Sequence, residues 1–101
     1  MFKIGIAKDA ERFLKSCPKK MKEDLKKQIN ALAYSPRDRG KALRGKEFKD
    51  LYRIKLSYKG VAYRAVYEID DTIVYVLILF IDKREQVYER LKRKLKSIAG
   101  I

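Results

Sequence analysis

Three apolar stretches in the second half of the chain follow one another with only short polar breaks. They cover residues 51–56, 61–69 and 73–81 and are rich in Val, Ile, Tyr and Leu, which favour strands. The breaks at residues 57–60 and 70–71 carry turn-forming residues. This pattern predicts an antiparallel meander of three strands. Because the last stretch is apolar on both faces, we expect it to lie centrally in the sheet.

The first half of the chain begins with strand-like alternation and then changes to helical spacing. Phe2, Ile4 and Ile6 alternate with other residues, which indicates a short strand. Two amphipathic helices follow; Pro18 is expected at the first position of the second one, and that helix should end near Pro36. We expect the two helices to form a hairpin that covers the sheet. Their apolar stripes consist of Ala10, Phe13, Leu14 and Cys17, and of Met21, Leu25, Ile29 and Leu32.

The remaining segments complete an α+β prediction. Residues 37–49 are expected to form a basic linker, and Val87, Leu91, Leu95 and Ile98 are spaced as in a C-terminal helix. The predicted fold is a single domain, residues 1–101, in which an N-terminal strand and a helical hairpin pack on an antiparallel sheet of about four strands. No apolar run reaches the roughly 20 residues of a membrane helix, so a soluble protein is expected.

The net charge and the missing residue types limit the functions that are possible for this chain. The chain has 26 Lys and Arg against 13 Asp and Glu, a net charge of +13, and no histidine. The surplus favours a polyanion or an acidic protein as partner, although a high charge also keeps a small protein in solution. Without histidine, Ser–His–Asp and Cys–His catalysis and histidine-ligated metals are excluded. The single Cys17 excludes an internal disulfide, which fits the cytoplasm.

Pairing of the first two predicted strands brings cations together on one face. With a four-residue loop, Arg53 lies opposite Arg64, and Lys55 projects from the same face. Like charges in that arrangement are unfavourable unless a ligand such as phosphate bridges them. The alternative is a solvated face on which Glu68 and other carboxylates relieve the repulsion. The opposite face, toward the helical hairpin, is expected to carry Tyr52, Ile54, Leu56, Tyr63 and Ala65.

A second candidate cluster follows the last strand. Arg84 and Tyr88 are four residues apart, so a helix that begins near Arg84 presents both on one side. Nearby cations favour the phenolate form of tyrosine, which a site without histidine could use as a base. The alternative is that Tyr88 packs beside Val87 and Leu91 while Arg84 caps a helix or pairs with a carboxylate.

Taken in order, these segments resemble the RelE/ParE toxin superfamily of type II toxin–antitoxin systems, and specifically its RelE branch. The matching text is SP at 35–36, LRG at 43–45, LYRIKL at 51–56, YRAVY at 63–67 and KRE at 83–85, followed by Tyr88. The resemblance implies a RelE-like microbial ribonuclease-type fold. It also implies a ribosome-dependent endoribonuclease that cleaves mRNA in the A site by attack of a ribose 2′-hydroxyl on the adjacent phosphate, with no metal or cofactor.

The same resemblance implies roles for individual residues and partners. Tyr88 or Lys55 would act on the 2′-hydroxyl, Arg64 with Arg53 would stabilise the phosphate, and Arg84 would assist the departing oxygen. An acidic RelB-like antitoxin, the ribosome and mRNA are the implied partners, and a membrane is not. The alternatives are a ParE-like non-catalytic inhibitor of DNA gyrase and a degenerate, non-cleaving RNA-binding member. Cations that could grip ribosomal RNA are Arg44, Lys46, Lys59, Arg90, Lys92 and Lys94.

Overall fold

A computed structural model describes residues 1–48 and 50–83, together with Glu89 and Arg93. The residues that predict the C-terminal helix, Val87, Leu91, Leu95 and Ile98, therefore lie outside the described residues. Within them, no helix is long and apolar enough to cross a membrane. The helices are α1 (Lys8–Ser16), α2 (Lys19–Asn30) and the short α3 (Pro36–Arg39), and the strands are β1 (Lys3–Ile6), β2 (Lys41–Ala42), β3 (Leu51–Tyr58), β4 (Val61–Asp70) and β5 (Tyr75–Lys83).

One sheet organises the described part of the chain, with five strands in the order β1-β5-β4-β3-β2. The predicted meander is confirmed, because β3, β4 and β5 pair antiparallel in sequence order. The sheet differs from the prediction in two ways. β1 runs parallel to β5, and the two-residue strand β2 adds a fifth member at the edge. A strand of two residues is too short to produce a periodic signal, which is why the sequence pattern missed it.

The turn between β3 and β4 is tighter than expected and changes the register. Its two central residues, Lys59 and Gly60, have φ of 48° and 80°. Positive φ at both positions is the requirement of a type I′ turn, whose twist matches the flanking strands. Tyr58 therefore pairs with Val61. The predicted four-residue loop is wrong, and every pair in this hairpin is displaced by two residues from the predicted one.

The helical hairpin covers one face of the sheet, as predicted. Leu14, Leu25 and Ile29 of the helices are fully buried against sheet residues such as Tyr67 and Ile78. Two boundaries differ from the prediction. Pro18 precedes α2 as its N-cap instead of opening it, and α2 ends at Asn30, followed by a 3-10 turn at Ala31–Ala33.

α2 is also fixed to the edge of the sheet by a side chain. The Gln28 amide donates from Nε2 to the Ser57 carbonyl oxygen at 2.8 Å, and its Oε1 accepts from the Ser57 N–H at 3.1 Å. The amide thus replaces a neighbouring strand for one residue of β3. This covers backbone groups that an edge strand otherwise leaves open.

The predicted basic linker at residues 37–49 is wrong, because much of this segment is folded against the sheet. It contains the end of α3, strand β2 and a 3-10 turn at Lys46–Phe48. Leu43 and Phe48 are buried on the second face of the sheet, where they pack with Val66 and Phe80. Apolar side chains at Leu43 and Phe48 explain why a segment so rich in cations does not stay in solvent.

Candidate active site

A cationic cleft opens on the face of the sheet opposite the helical hairpin. It has a volume of about 250 Å³. Five of the described residues around it are cations and none is a carboxylate. Such a concentration of one charge sign attracts anions and raises their local concentration. The lining residues are Arg39, Gly40, Lys41, Arg53, Ile54, Lys55 and Arg64.

Strand alternation places the three predicted cations together. Arg53 and Lys55 are two apart on β3, so both project to the same face, and Lys55 lies directly opposite Arg64 on β4. The prediction that Arg53, Lys55 and Arg64 share a face is confirmed. The predicted pairing of Arg53 with Arg64 is wrong. Arg53 lies opposite Val66, because the two-residue turn moves the register by two positions, which keeps the faces and changes the partners.

The edge strand adds two cations that the sequence pattern did not single out. Lys41 lies directly opposite Arg53 across the β2–β3 pairing, and Arg39 ends α3 just before β2. Both are exposed and line the cleft. The only signal in the sequence was the excess of Lys and Arg in residues 37–49, which does not tell which of those side chains reach the site.

A bulge in β5 brings a carboxylate to the same face. Val66 pairs with Phe80 while Tyr67 pairs with Ile78, so Leu79 is an extra residue. Before the bulge Ile78 faces the helices, and after it Phe80 packs on the second face. Asp82 therefore lies opposite Arg64 on the cleft side of the sheet, and only 9% of its surface is exposed. Bulges often re-aim side chains in this way next to functional sites.

A tyrosine behind the cleft supports it without being available as a base. Tyr67 is fully buried, stacks on Tyr52 with ring centroids 5.7 Å apart, and donates its hydroxyl to the Pro36 carbonyl at 2.6 Å. Burial, with a smaller contribution from Tyr52, raises the pKa of Tyr67 to about 12. The phenol is therefore neutral at physiological pH, and its hydrogen bond ties α3 to the sheet.

Arg37 is close in sequence to the cleft residues but is not among them. Its guanidinium binds the Asp71 carboxylate with two hydrogen bonds, one of 2.7 Å, and lies 6.0 Å from the centroid of the Tyr52 ring. The hydrogen bonds from Arg37 lower the pKa of Asp71 below its usual value. Arg37 thus joins α3 to the β4–β5 turn.

The other predicted site residues are divided between the described and undescribed parts of the chain. Arg44 lines a hollow of about 480 Å³ that adjoins the cleft and shares Lys41 and Arg53 with it. Lys46 is exposed on the 3-10 turn, and Lys59 lies at the β3–β4 turn, four residues beyond Lys55. Arg84, Tyr88, Arg90, Lys92 and Lys94 lie outside the described residues.

Among the described residues, no group of three or more His, Cys, Asp or Glu residues could hold a metal ion. Cys17 is partly buried at the C-cap of α1, its thiol donates to the Phe13 carbonyl at 3.3 Å, and burial raises its pKa. The raised pKa favours the thiol over the thiolate form.

The fold and the cleft together define a class of protein: a small, basic α+β protein with a helical hairpin on one face of its sheet and a cationic cleft on the other. Comparison with known proteins agrees with this class. A family model described as the ParE toxin of type II toxin-antitoxin systems, parDE, matches residues 4–88. The mRNA interferase toxin RelE of Escherichia coli K12 is 41% identical over 78 residues, which are 74% of this chain and 78% of that protein.

Solved structures give the same result. The isolated E. coli RelE toxin in its P21 crystal form superposes with a TM-score of 0.67 and 28% identity, covering 94% of this chain and 99% of that chain. The RelBE2 toxin–antitoxin complex of Mycobacterium tuberculosis matches with a TM-score of 0.67 and 26% identity, covering 82% and 98%. The chain belongs to the RelE/ParE superfamily of type II toxins, within its RelE branch.

Proposed function

We propose that this chain, acting as a single RelE-like domain in the cytoplasm, is a ribosome-dependent endoribonuclease that cleaves mRNA in the A site and so stops translation. The observation that carries the proposal is the pairing of Lys55 with Arg64, beside Arg53, in a cleft lined by cations. The 41% identity to a protein named as an mRNA interferase supports the same activity.

The chemistry proposed for the cleft needs charge stabilisation and proton transfer. The ribose 2′-oxygen attacks the adjacent phosphorus while its proton passes to a base, for which Lys55 and Tyr88 are the candidates. The bond from phosphorus to the 5′-oxygen then breaks, and that oxygen takes up a proton, for which Arg84 or water is the candidate donor. The products are a cyclic 2′,3′-phosphate and a free 5′-hydroxyl, and the reaction written in this way uses no metal or cofactor.

Stabilisation of the crowded phosphate is assigned to the arginines. Arg64 and Arg53 would face the equatorial oxygens, on which negative charge grows in the transition state, and Arg84 would face the departing 5′-oxygen. A planar guanidinium can donate two parallel hydrogen bonds to a phosphate. Because β3 and β4 fix the backbone positions of Arg53 and Arg64 before substrate arrives, little reorganisation of these two residues is needed during the reaction.

An acidic RelB-like antitoxin is the proposed regulator. The solved structures similar to this chain include RelBE complexes of E. coli and M. tuberculosis. A net charge of +13 favours an acidic partner and would accelerate its association at low salt. We expect the antitoxin to suppress the activity, and co-expression should restore growth.

The proposed activity is tested with Arg64→Ala on ribosomes programmed with a defined mRNA. Wild-type protein should create new RNA 5′ ends confined to the A-site codon, and Arg64→Ala should reduce their formation by roughly a hundredfold or more. The matched control is Arg12→Ala, which removes the same charge from an exposed position on α1. Continued cleavage by a folded Arg64→Ala protein would contradict the assigned role.

The ParE description of the matching family model makes DNA gyrase inhibition the second candidate. Assaying gyrase supercoiling and translation in the same extract separates the two. Intact mRNA together with inhibited supercoiling would favour a gyrase inhibitor. RNA that is bound but remains uncut would favour a non-cleaving RNA-binding member.

A further inference from the structure

We propose that Arg39 and Lys41 form a second phosphate subsite, which holds the phosphodiester of single-stranded RNA next to the one that is cleaved. The inference rests on the proposed function, because it extends the same cleft toward the sheet edge. It assigns these two residues to substrate binding and not to the chemical step.

The position of Lys41 makes it continuous with the proposed catalytic cations. Lys41 lies opposite Arg53, and Arg53 is two residues from Lys55 on the same face of β3. The row therefore extends from β4 across β3 to β2. Two spacings between neighbouring strands amount to roughly 10 Å. The row of cations is thus long enough to contact more than one phosphate of a nucleotide chain.

The number of cations that line the cleft also indicates more than one bound phosphate. Five cations among the described residues line the cleft, whereas one phosphodiester carries a single negative charge. The adjoining hollow adds Arg44 and shares Lys41 and Arg53. None of the described residues that line either hollow is a carboxylate. Asp82, opposite Arg64, supplies one negative charge beside the row, and further phosphates of the same RNA strand would supply the remainder.

The edge strand that carries the subsite is packed closely against the sheet. A Cβ atom added at Gly40 would lie 2.0 Å from the Tyr67 hydroxyl oxygen and 2.5 Å from the Arg53 carbonyl oxygen. Only glycine permits this approach, which brings β2 against β3. Binding to groups that are already ordered loses less conformational entropy.

Arg39 is oriented by a hydrogen bond of its own. Its Nε donates to the Tyr34 carbonyl at 2.6 Å, which fixes the plane of the guanidinium while the side chain stays exposed. The two terminal nitrogens are the groups that would donate to phosphate. A guanidinium fixed through Nε can still form the paired hydrogen bonds that phosphate accepts.

Two RNA probes distinguish a second subsite from general attraction by charge. The first is a dinucleotide with one phosphodiester and the second is an octanucleotide, both with 2′-deoxyribose at the scissile position to prevent cleavage. Lys41→Ala and Arg39→Ala in the full-length chain should each weaken octanucleotide binding by about tenfold. Dinucleotide binding should change less than twofold, whereas Arg64→Ala should weaken binding of both probes.

The matched controls are Lys20→Ala and Arg12→Ala, which remove the same charges from exposed positions on the helical side. The dependence of octanucleotide binding on salt should become less steep by about 0.7 in the logarithmic slope for Lys41→Ala. The slope for Lys20→Ala should be that of wild type. Equal effects of Lys41→Ala and Lys20→Ala, or no octanucleotide binding by wild type at low salt, would overturn the subsite.

Kinetics on programmed ribosomes separate this inference from the proposed function. Lys41→Ala should raise KM about tenfold with kcat unchanged, because it removes binding common to ground state and transition state. If wild type cleaves and Lys41→Ala cleaves with the same KM, the subsite is refuted and the proposed function still stands. If wild type does not cleave, the proposed function fails, and the two RNA probes still decide the subsite.

Discussion

Lys55 and Arg64 lie directly opposite one another on neighbouring strands, with their side chains on the same face of the sheet. Two cations at such a position repel each other, whereas opposite charges or apolar side chains would stabilise the pairing. Asp82 lies opposite Arg64 on its other side, on the same face, so Lys55 is the member of this row that adds repulsion to the sheet while adding attraction for a bound phosphate. Stability and activity should respond to substitution here in opposite directions.

Replacement of Lys55 by methionine tests that relationship. Lys55→Met removes the repulsion and keeps a long side chain, so the free energy of unfolding should stay unchanged or rise by up to about 0.5 kcal/mol. Cleavage on programmed ribosomes should fall by about a hundredfold, because a candidate base and a phosphate ligand are both lost. Urea unfolding and mapping of 5′ ends measure the two effects. Loss of stability in proportion to activity would indicate a structural role instead.

Gly40→Ala should destabilise the protein by about 1–3 kcal/mol, because the added methyl group overlaps Tyr67 and the backbone of β3. β2 must move away from the sheet to make room. The double variant Gly40→Ala/Tyr67→Phe removes the hydroxyl that is 2.0 Å from the added carbon. Its destabilisation should be smaller than the sum of the two single changes in a double-mutant cycle by urea unfolding. Strict additivity would show that this contact is not the cause.

Tyr67→Phe should cost about 1 kcal/mol at neutral pH, because the Pro36 carbonyl loses its buried donor. At alkaline pH this difference should shrink and then reverse. The folded pKa of about 12 lies above the unfolded value near 10, so the unfolded chain loses this proton first and wild-type stability falls between these values. The slope is at most about 1.4 kcal/mol per pH unit, and this contribution is absent from Tyr67→Phe. Parallel stability curves from pH 9 to 12 would contradict the prediction.

Gln28→Ala should lower the free energy of unfolding by about 1–2 kcal/mol, because the Ser57 backbone loses both of its partners on α2. Gln28→Glu should be at least as damaging at pH 7, since the carboxylate can accept from the Ser57 N–H but repels the Ser57 carbonyl. Below about pH 4 the protonated carboxyl of Gln28→Glu can donate again, so this variant should gain stability relative to Gln28→Ala. Chemical denaturation at the two pH values measures this, and equal values for all three proteins would contradict it.

Much of the architecture was predictable because hydrophobic period is a local property. The helical hairpin, the order of the three long strands and the face of Arg53, Lys55 and Arg64 all follow from spacing along the chain. The face remained correct although the register was wrong. A shift of two residues preserves the alternation of side chains, so it exchanges partners without turning any residue over.

Features that depend on one unusual residue were not predictable in the same way. Lys59 adopts a left-handed backbone conformation, which nothing in its side chain requires, and this shortens the turn. The extra residue Leu79 in β5 likewise cannot be told from its apolar neighbours. Strict alternation from Ile78 would have directed Asp82 toward the helices.

By itself, the sequence determined the residue chemistry of this protein: an excess of cations, no histidine, and an apolar pattern that sends the cations of β3 and β4 to one side. The tertiary structure alone decided which cations meet. Lys41 reaches Arg53 because β2 pairs with β3 across a segment without periodic pattern, and Arg64 faces Lys55 because of a two-residue turn. Pairing between segments depends on long-range packing and on backbone angles at single residues, and neither is written in the period of the chain.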